Sequence, residues 1–177
     1  MTFDSSHPTI LTAGGSYFNF LEPENSRIEI EDIAHALSHL CRFTGHCRKF
    51  YSVAQHSVHV SELLPPEYRL AGLLHDAAEA FIGDVSSPLK ALLPDYKEIE
   101  KRIEAAVLAR FGLAPELPLS VKCADLRMLA TEQRDLLPPH GDEWAVLDGV
   151  PPCEWVVVPQ APRKARGWFL RKFAELT

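Results

Sequence analysis

The chain has 177 residues, 46% of them hydrophobic and 24% charged. That is ordinary globular usage in a chain long enough for one full core, and it excludes a disordered, fibrous or collagen-like protein. Lys and Arg number 18 against 24 Asp and Glu, a formal charge of −6. A protein that coats nucleic acid needs a basic face, so this balance excludes one while leaving room for a small anion in a locally positive pocket.

The first 30 residues read as extended. Gly14-Gly15 is a turn signal between Thr9–Ala13 and Ser16–Leu21, and Arg27–Ile30 alternates polar with apolar, so a small hairpin is expected there. The pattern then turns helical. Ile33, Ala36, Leu37 and Leu40 place a first helix over about Glu31–Phe43, closed by Gly45. Ser52-Val53-Ala54-Gln55 fits a capping box that opens a second helix, which runs to about Leu64, ahead of Pro65-Pro66. A third is expected from about Glu67 to Phe81 or Ile82. It is apolar around most of its circumference, which marks it as the central one. After a loop over 83–94, Asp95 caps an amphipathic fourth helix to about Arg110, with Gly112 as its C-cap. A fifth runs from near Ser120 to Asp135. Residues 137–160 hold five prolines and read as irregular, with one short strand at Trp155–Val158, and a last helix covers about Pro162–Glu175.

The fold class expected is mostly α: a compact helical bundle with a small N-terminal β-hairpin. It forms one domain over 1–177, with an extended appendage (1–30), a helical core (31–136) and an irregular segment plus last helix (137–177). Cys41, Cys47, Cys123 and Cys153 make no Cys-x-x-Cys pair and read as reduced, inert thiols. Met1–Ile10 is polar and the longest aliphatic run is Val156–Val158, so the expectation is a cytoplasmic protein without a membrane partner.

His75-Asp76 stands out inside the apolar third helix. A buried carboxylate needs a cation, and a histidine beside an aspartate offers one neutral nitrogen and one anionic oxygen to a divalent metal. His56 in the second helix and Asp125 in the fifth complete a two-His, two-carboxylate set with open positions. Glu79, four residues after His75, falls on the same helical face, where it can handle the proton of a water. Asp84 follows at the start of the loop. His35 and His39 read as a polar helix face, His59 as structural, and Trp144, Trp155 and Trp168 as packing groups.

These residues carry a resemblance. His56, His75-Asp76 and Asp125 look like the H…HD…D signature of the HD-domain metal-dependent phosphohydrolases. The run from His75 through Glu79, Gly83-Asp84 and Pro88-Leu89-Lys90 resembles that of the bacterial 5′-deoxynucleotidases, above all the small prophage-type HD proteins described as deoxyribonucleoside monophosphate phosphohydrolases. Tyr51–Ser57, Arg42-Phe43-x-Gly45-His46, Leu92–Tyr96 and Ala130–Asp135 resemble them too. The resemblance implies His56, His75, Asp76 and Asp125 as ligands of one divalent transition metal (manganese, cobalt, iron, nickel or zinc), Glu79 as the catalytic carboxylate, and Asp84 as the group that positions the attacking water. Arg42 matches a substrate-binding arginine, although its spacing to His56 differs by one residue. Phe43 stands where those enzymes carry a tryptophan beside the sugar, a departure that bears on 2′-deoxy selectivity. His46, Lys90 and Lys122 are the further candidates for contact with substrate phosphate.

The function so implied is hydrolysis of (deoxy)ribonucleoside 5′-monophosphates to nucleoside and phosphate, by a cytoplasmic enzyme whose partner is a small nucleotide and not a nucleic-acid polymer. A homodimer is an expectation from related proteins. Two alternatives stay open on the sequence: a triphosphohydrolase that releases triphosphate, which extra basic groups beyond Arg42 would favour, and a non-catalytic binding module with a structural metal.

Overall fold

The computed structural model describes residues 8–177, so the polar start and residues 1–7 of the expected appendage lie outside the described residues. The fold is mostly helical, with one small antiparallel hairpin near the N-terminus. Strands β1 (Thr9–Leu11) and β2 (Tyr17–Asn19) pair Ile10 with Phe18, and Gly15 takes the positive φ that the turn requires. The arms are shorter than the sequence suggested. Phe18 anchors the hairpin: it is fully buried and stacks on Phe81 at 4.0 Å.

Helix α1 (Ile30–His39) stops four residues short of Phe43 because Leu40 turns extended and its carbonyl accepts the Val53 N–H; Cys41 then bridges to Ser52. Arg42 therefore sits on an extended segment and not on a helix end. Helix α2 (Val53–Glu62) opens as expected, with Ser52 Oγ accepting the Gln55 N–H. The reciprocal half of the capping box is absent: Gln55 donates to the Val158 carbonyl at 3.0 Å and accepts from the Gln160 N–H at 2.8 Å.

The centre of the molecule is α2. Every residue from Val53 to Ser61 is buried, although Gln55, Ser57, His59 and Ser61 are polar. Each has a partner: Ser57 the Val53 carbonyl, Ser61 the Arg69 carbonyl, Gln55 the tail, and His59 the Gln55 amide. Helices α1, α7 (Leu119–Leu136) and α8 (Pro162–Leu176) pack around it. The third expected helix is in fact two, α3 (Arg69–Leu74) and α4 (Glu79–Ile82), joined by a tight turn over 75–78. The His75 imidazole takes the Gly72 carbonyl at 2.8 Å, and the amides of Ala77, Glu79, Ala80 and Phe81 bond three residues back instead of four.

Within the expected loop lies a further short helix, α5 (Ser87–Lys90). Helix α6 (Pro94–Arg110) begins with proline at its first position, which places Asp95 inside the first turn and not at the cap. Gly112 has φ +73° just past its end. No strand forms at Trp155–Val158. Side chains satisfy that segment instead: Asp135 accepts the Val157 N–H at 2.8 Å, and Arg134 donates to the Cys153 and Trp155 carbonyls. The four cysteines are free. No helix among the described residues is long and apolar enough to cross a membrane.

Two tests of this packing follow. Gly72 faces α2: a methyl group there would run into Leu64 Cδ1 and come within 3.2 Å of the Ser61 backbone. Gly72→Ala should cost about 2 kcal/mol of stability, read by urea unfolding. His59 accepts from Gln55 at 3.3 Å and packs between Trp155 and Trp168. Burial lowers its pKa from 6.5 to about 4. The folded state thus favours the neutral ring; this contribution is complete above pH 6.5 and is lost as pH falls through about 4. His59→Gln should flatten the acid limb of a plot of stability against pH between those values.

Candidate metal centre

Three segments bring four donors together. His56 from α2, His75 and Asp76 from the tight turn, and Asp125 from α7 meet around one point. His56 Nε2 lies 3.3 Å from His75 Nε2 and 3.3 Å from Asp125 Oδ1. Asp76 Oδ2 lies 3.1 Å from His75 Nε2 and 3.6 Å from His56 Nε2. Metal bonds of about 2.1 Å set neighbouring ligand atoms roughly 3.0–3.4 Å apart; three of these four spacings fall inside that range and the 3.6 Å one lies just beyond it, while His75 Nε2 and Asp125 Oδ1 stand 4.0 Å apart. His56, His75 and Asp125 form a group able to hold a metal ion.

The hydrogen bonds fix which nitrogens face inward. His56 Nδ1 contacts Glu132 Oε1 at 2.6 Å and His75 Nδ1 contacts the Gly72 carbonyl at 2.8 Å. Both partners can only accept, so each Nδ1 carries the proton and each Nε2 turns its lone pair to the centre. Two lone pairs at 3.3 Å, flanked by two carboxylates, require a cation between them. Without a metal the cation is a proton. Burial and Arg42 push the His56 pKa down, but Glu132 and Asp125 outweigh them and raise it to about 9. Burial likewise works against Asp76 and Asp125, yet the two imidazoles hold both carboxyls well below the usual range. The donor set therefore fits a metal cation.

Glu132 had no role assigned from the sequence. It is fully buried in α7 and accepts from Tyr51 Oη at 2.8 Å, His56 Nδ1 at 2.6 Å and Arg42 Nε at 3.0 Å. The sequence did hold a signal, because Glu132 lies seven residues after Asp125 on the stripe of α7 that buries Val121, Ala124 and Met128. A lone carboxylate on such a stripe needs partners.

The remaining candidates sit around this core. Glu79 is buried and its Oε2 has no partner among the described residues. Burial, then the charges of Asp76 and Asp84, push its pKa well up. Asp84 follows Gly83, and burial raises its pKa against the pull of Arg42. Arg42 pairs with Glu132 and reaches Asp76 at 3.7 Å. Its guanidinium carbon lies 5.4 Å from the Phe43 ring centroid. Phe43 and Thr44 have φ of 55° and 53°, rare for side chains of this kind. Lys90 bonds Glu100 at 2.5 Å and stands 4.0 Å from Glu79 Oε1. Lys122 bonds Asp125 at 2.8 Å from an exposed position. His46 is exposed at the end of the Phe43–Gly45 turn.

Among known proteins the chain is 47% identical over 169 residues to the uncharacterized protein YfdR of Escherichia coli strain K12, across 95% of each chain. The chain belongs to the YfdR family. An uncharacterized protein of Rhodobacter capsulatus is 42% identical over 120 residues, 62% of this chain and 61% of its own. No family model matches.

Glu132→Gln would keep the shape and remove the charge that orients His56. Loss of such an orienting carboxylate costs about 10–100-fold in metal affinity, to be read by competition with a chromophoric chelator.

Proposed function

We propose that the protein is an HD-type, metal-dependent phosphomonoesterase that hydrolyses nucleoside 5′-monophosphates to nucleoside and phosphate. The observation that carries this reading is a spare carboxyl beside a complete donor set. Glu79 Oε2 is buried without a partner next to the inward-facing His56, His75, Asp76 and Asp125. A purely structural metal site has no use for such a group.

His56, His75, Asp76 and Asp125 would hold the ion. A divalent ion there supplies Lewis acidity toward a phosphoryl oxygen and acidifies water. The protein's own groups do the rest. Water forms the new P–O bond as the bond to the 5′ oxygen breaks, and the leaving oxygen needs a proton. Glu79, with its pKa raised, is suited to accept a proton from the attacking water and to return one to the leaving group. Asp84 orients the water from the start of the loop. Arg42 spends its Nε on Glu132 and holds one terminal nitrogen 3.7 Å from Asp76, and its remaining N–H groups are those it offers the phosphate.

The charge inventory favours a monophosphate over a triphosphate. Lys90 is engaged by Glu100 and Glu79, and Lys122 by Asp125. Arg42 is itself paired with Glu132, so each of the named cations carries a carboxylate partner, and a triphosphate brings more negative charge than such a site can match.

The test is product formation from ribo- and deoxyribonucleoside mono- and triphosphates, with chelator-stripped protein reloaded with manganese or cobalt. Nucleoside and phosphate should appear from monophosphates. Glu79→Gln should lower kcat by at least about 10²-fold with metal affinity retained, whereas Asp76→Ala should lose both. Nucleoside from triphosphates alone would move the protein to triphosphate release. A metal-loaded protein inert on the whole panel would overturn the enzyme reading.

A further inference from the structure

A second feature lies beside this centre. Trp144, in the irregular segment after α7, forms part of the wall of a cleft of about 710 Å³. That is the size of a small-molecule site. The ring is held in place: His140 stacks on it at 5.9 Å with an interplanar angle of 20°, and Gln133 of α7 contacts His140 at 3.5 Å. On another side the Phe43 ring stands 6.5 Å from Trp144. Phe43 in turn lies under the Arg42 guanidinium, which reaches Asp76. One aromatic step therefore separates Trp144 from the phosphate-facing arginine, a span that suits the distance from phosphate to base in a nucleotide.

The loop that makes this link is strained. Phe43 and Thr44 both hold positive φ, and such conformations persist where the surroundings enforce them, most often at ligand sites. The cleft wall carries the carboxylates Asp142, Glu143 and Asp148 against one cation, Arg134, which is itself paired with Asp135. Carboxylates accept from exocyclic amino groups, as they do when they read cytosine or other amino-bearing bases, and they repel a phosphate. The two ends thus differ: a cationic end at Arg42 and an aromatic, acidic end at Trp144.

We infer that Trp144, steadied by His140, is the platform on which the base of the substrate nucleotide stacks, and that Asp142 and Glu143 favour bases that bear an exocyclic amino group. This rests on the nucleotide reading above and deepens it. Trp144 is then a specificity residue and takes no part in the chemistry.

The experiment pairs a nucleotide with a substrate that lacks a base. With metal-loaded full-length protein, Trp144→Ala should lower kcat/KM for guanosine or deoxyguanosine 5′-monophosphate about tenfold or more, mainly through KM. Turnover of ribose 5-phosphate should stay unchanged, and Trp144→Phe, which retains a ring, should recover most of the loss. His140→Ala should fall between. Equal losses on both substrates would make Trp144 a structural residue and overturn the inference, as would no loss on the nucleotide. Binding of guanosine alone, followed by saturation-transfer NMR, gives a readout independent of turnover. If the wild type hydrolyses nothing, the phosphatase reading fails, while guanosine contacts that vanish in Trp144→Ala still support the platform. Guanosine signals that are absent, or that persist in Trp144→Ala, overturn it.

Discussion

The buried carboxylate of Glu132 is the interaction on which the site depends. Placing an anion at the centre of the molecule is costly, and only multiple charge-assisted hydrogen bonds offset the loss of water. Glu132 has three donors, and they come from different parts of the chain: Tyr51 just ahead of α2, His56 within it, and Arg42 on the extended segment after α1. One side chain thus ties α7 to α2 and to the segment between α1 and α2. It also decides the chemistry of His56, because an acceptor on Nδ1 forces the Nε2 lone pair toward Asp125 and His75. The pair Arg42 and Glu132 is nearly neutral as a unit. The excess negative charge therefore lies one layer further out, on Asp76 and Asp125, where a cation is wanted.

The tight turn between α3 and α4 does for His75 what Glu132 does for His56. A continuous helix would use the Gly72 carbonyl for its own ladder. Here α3 ends, the carbonyl is left free, and the His75 ring takes it. His75 Nε2 then faces inward. The same shift to three-residue bonding starts α4 at Glu79, whose carboxyl is buried with one oxygen unpartnered. Phe81, two residues on, anchors Phe18 of the hairpin. The N-terminal hairpin thus backs the short helix that carries the proposed proton carrier.

Much of this was legible in the sequence, and the exceptions share a cause. Periodicity located the helices and the order of the four donors, because both depend on local spacing. It misjudged the centre of the fold. Helix α2 reads as half polar, yet it is the most buried element, since Ser57, Ser61 and Gln55 spend their hydrogen bonds on backbone carbonyls that the sequence does not reveal. The apolar run from Glu67 to Ile82 looked like one central helix because hydrophobicity carries no information on where a histidine side chain will displace a backbone amide. Glu132 was missed for the same reason. Its partners lie 76 to 90 residues away in sequence, and a single glutamate on a helix stripe resembles any other until they are in place.

The irregular tail shows what such long-range bonding permits. Between α7 and α8 the chain has no strand and little regular structure, yet side chains of other elements hold it. Arg134 and Asp135 at the end of α7 clamp the backbone at Cys153, Trp155 and Val157, and Gln55 of α2 clamps Val158 and Gln160. Thr131 takes the Cys153 amide. The clamps begin at residue 153, so the stretch before it is free to follow the surface of α7 toward the Phe43 turn and to place Trp144 there. A segment fixed at its far end by buried polar groups and open at its near end can change the residues it presents to a ligand without disturbing the core. The donor cluster cannot do this, because its histidines are anchored to the buried Glu132 and to the Gly72 carbonyl. The proposed chemistry thereby rests on α2, the tight turn, α4 and α7 together with Arg42, and the proposed base selectivity on the tail.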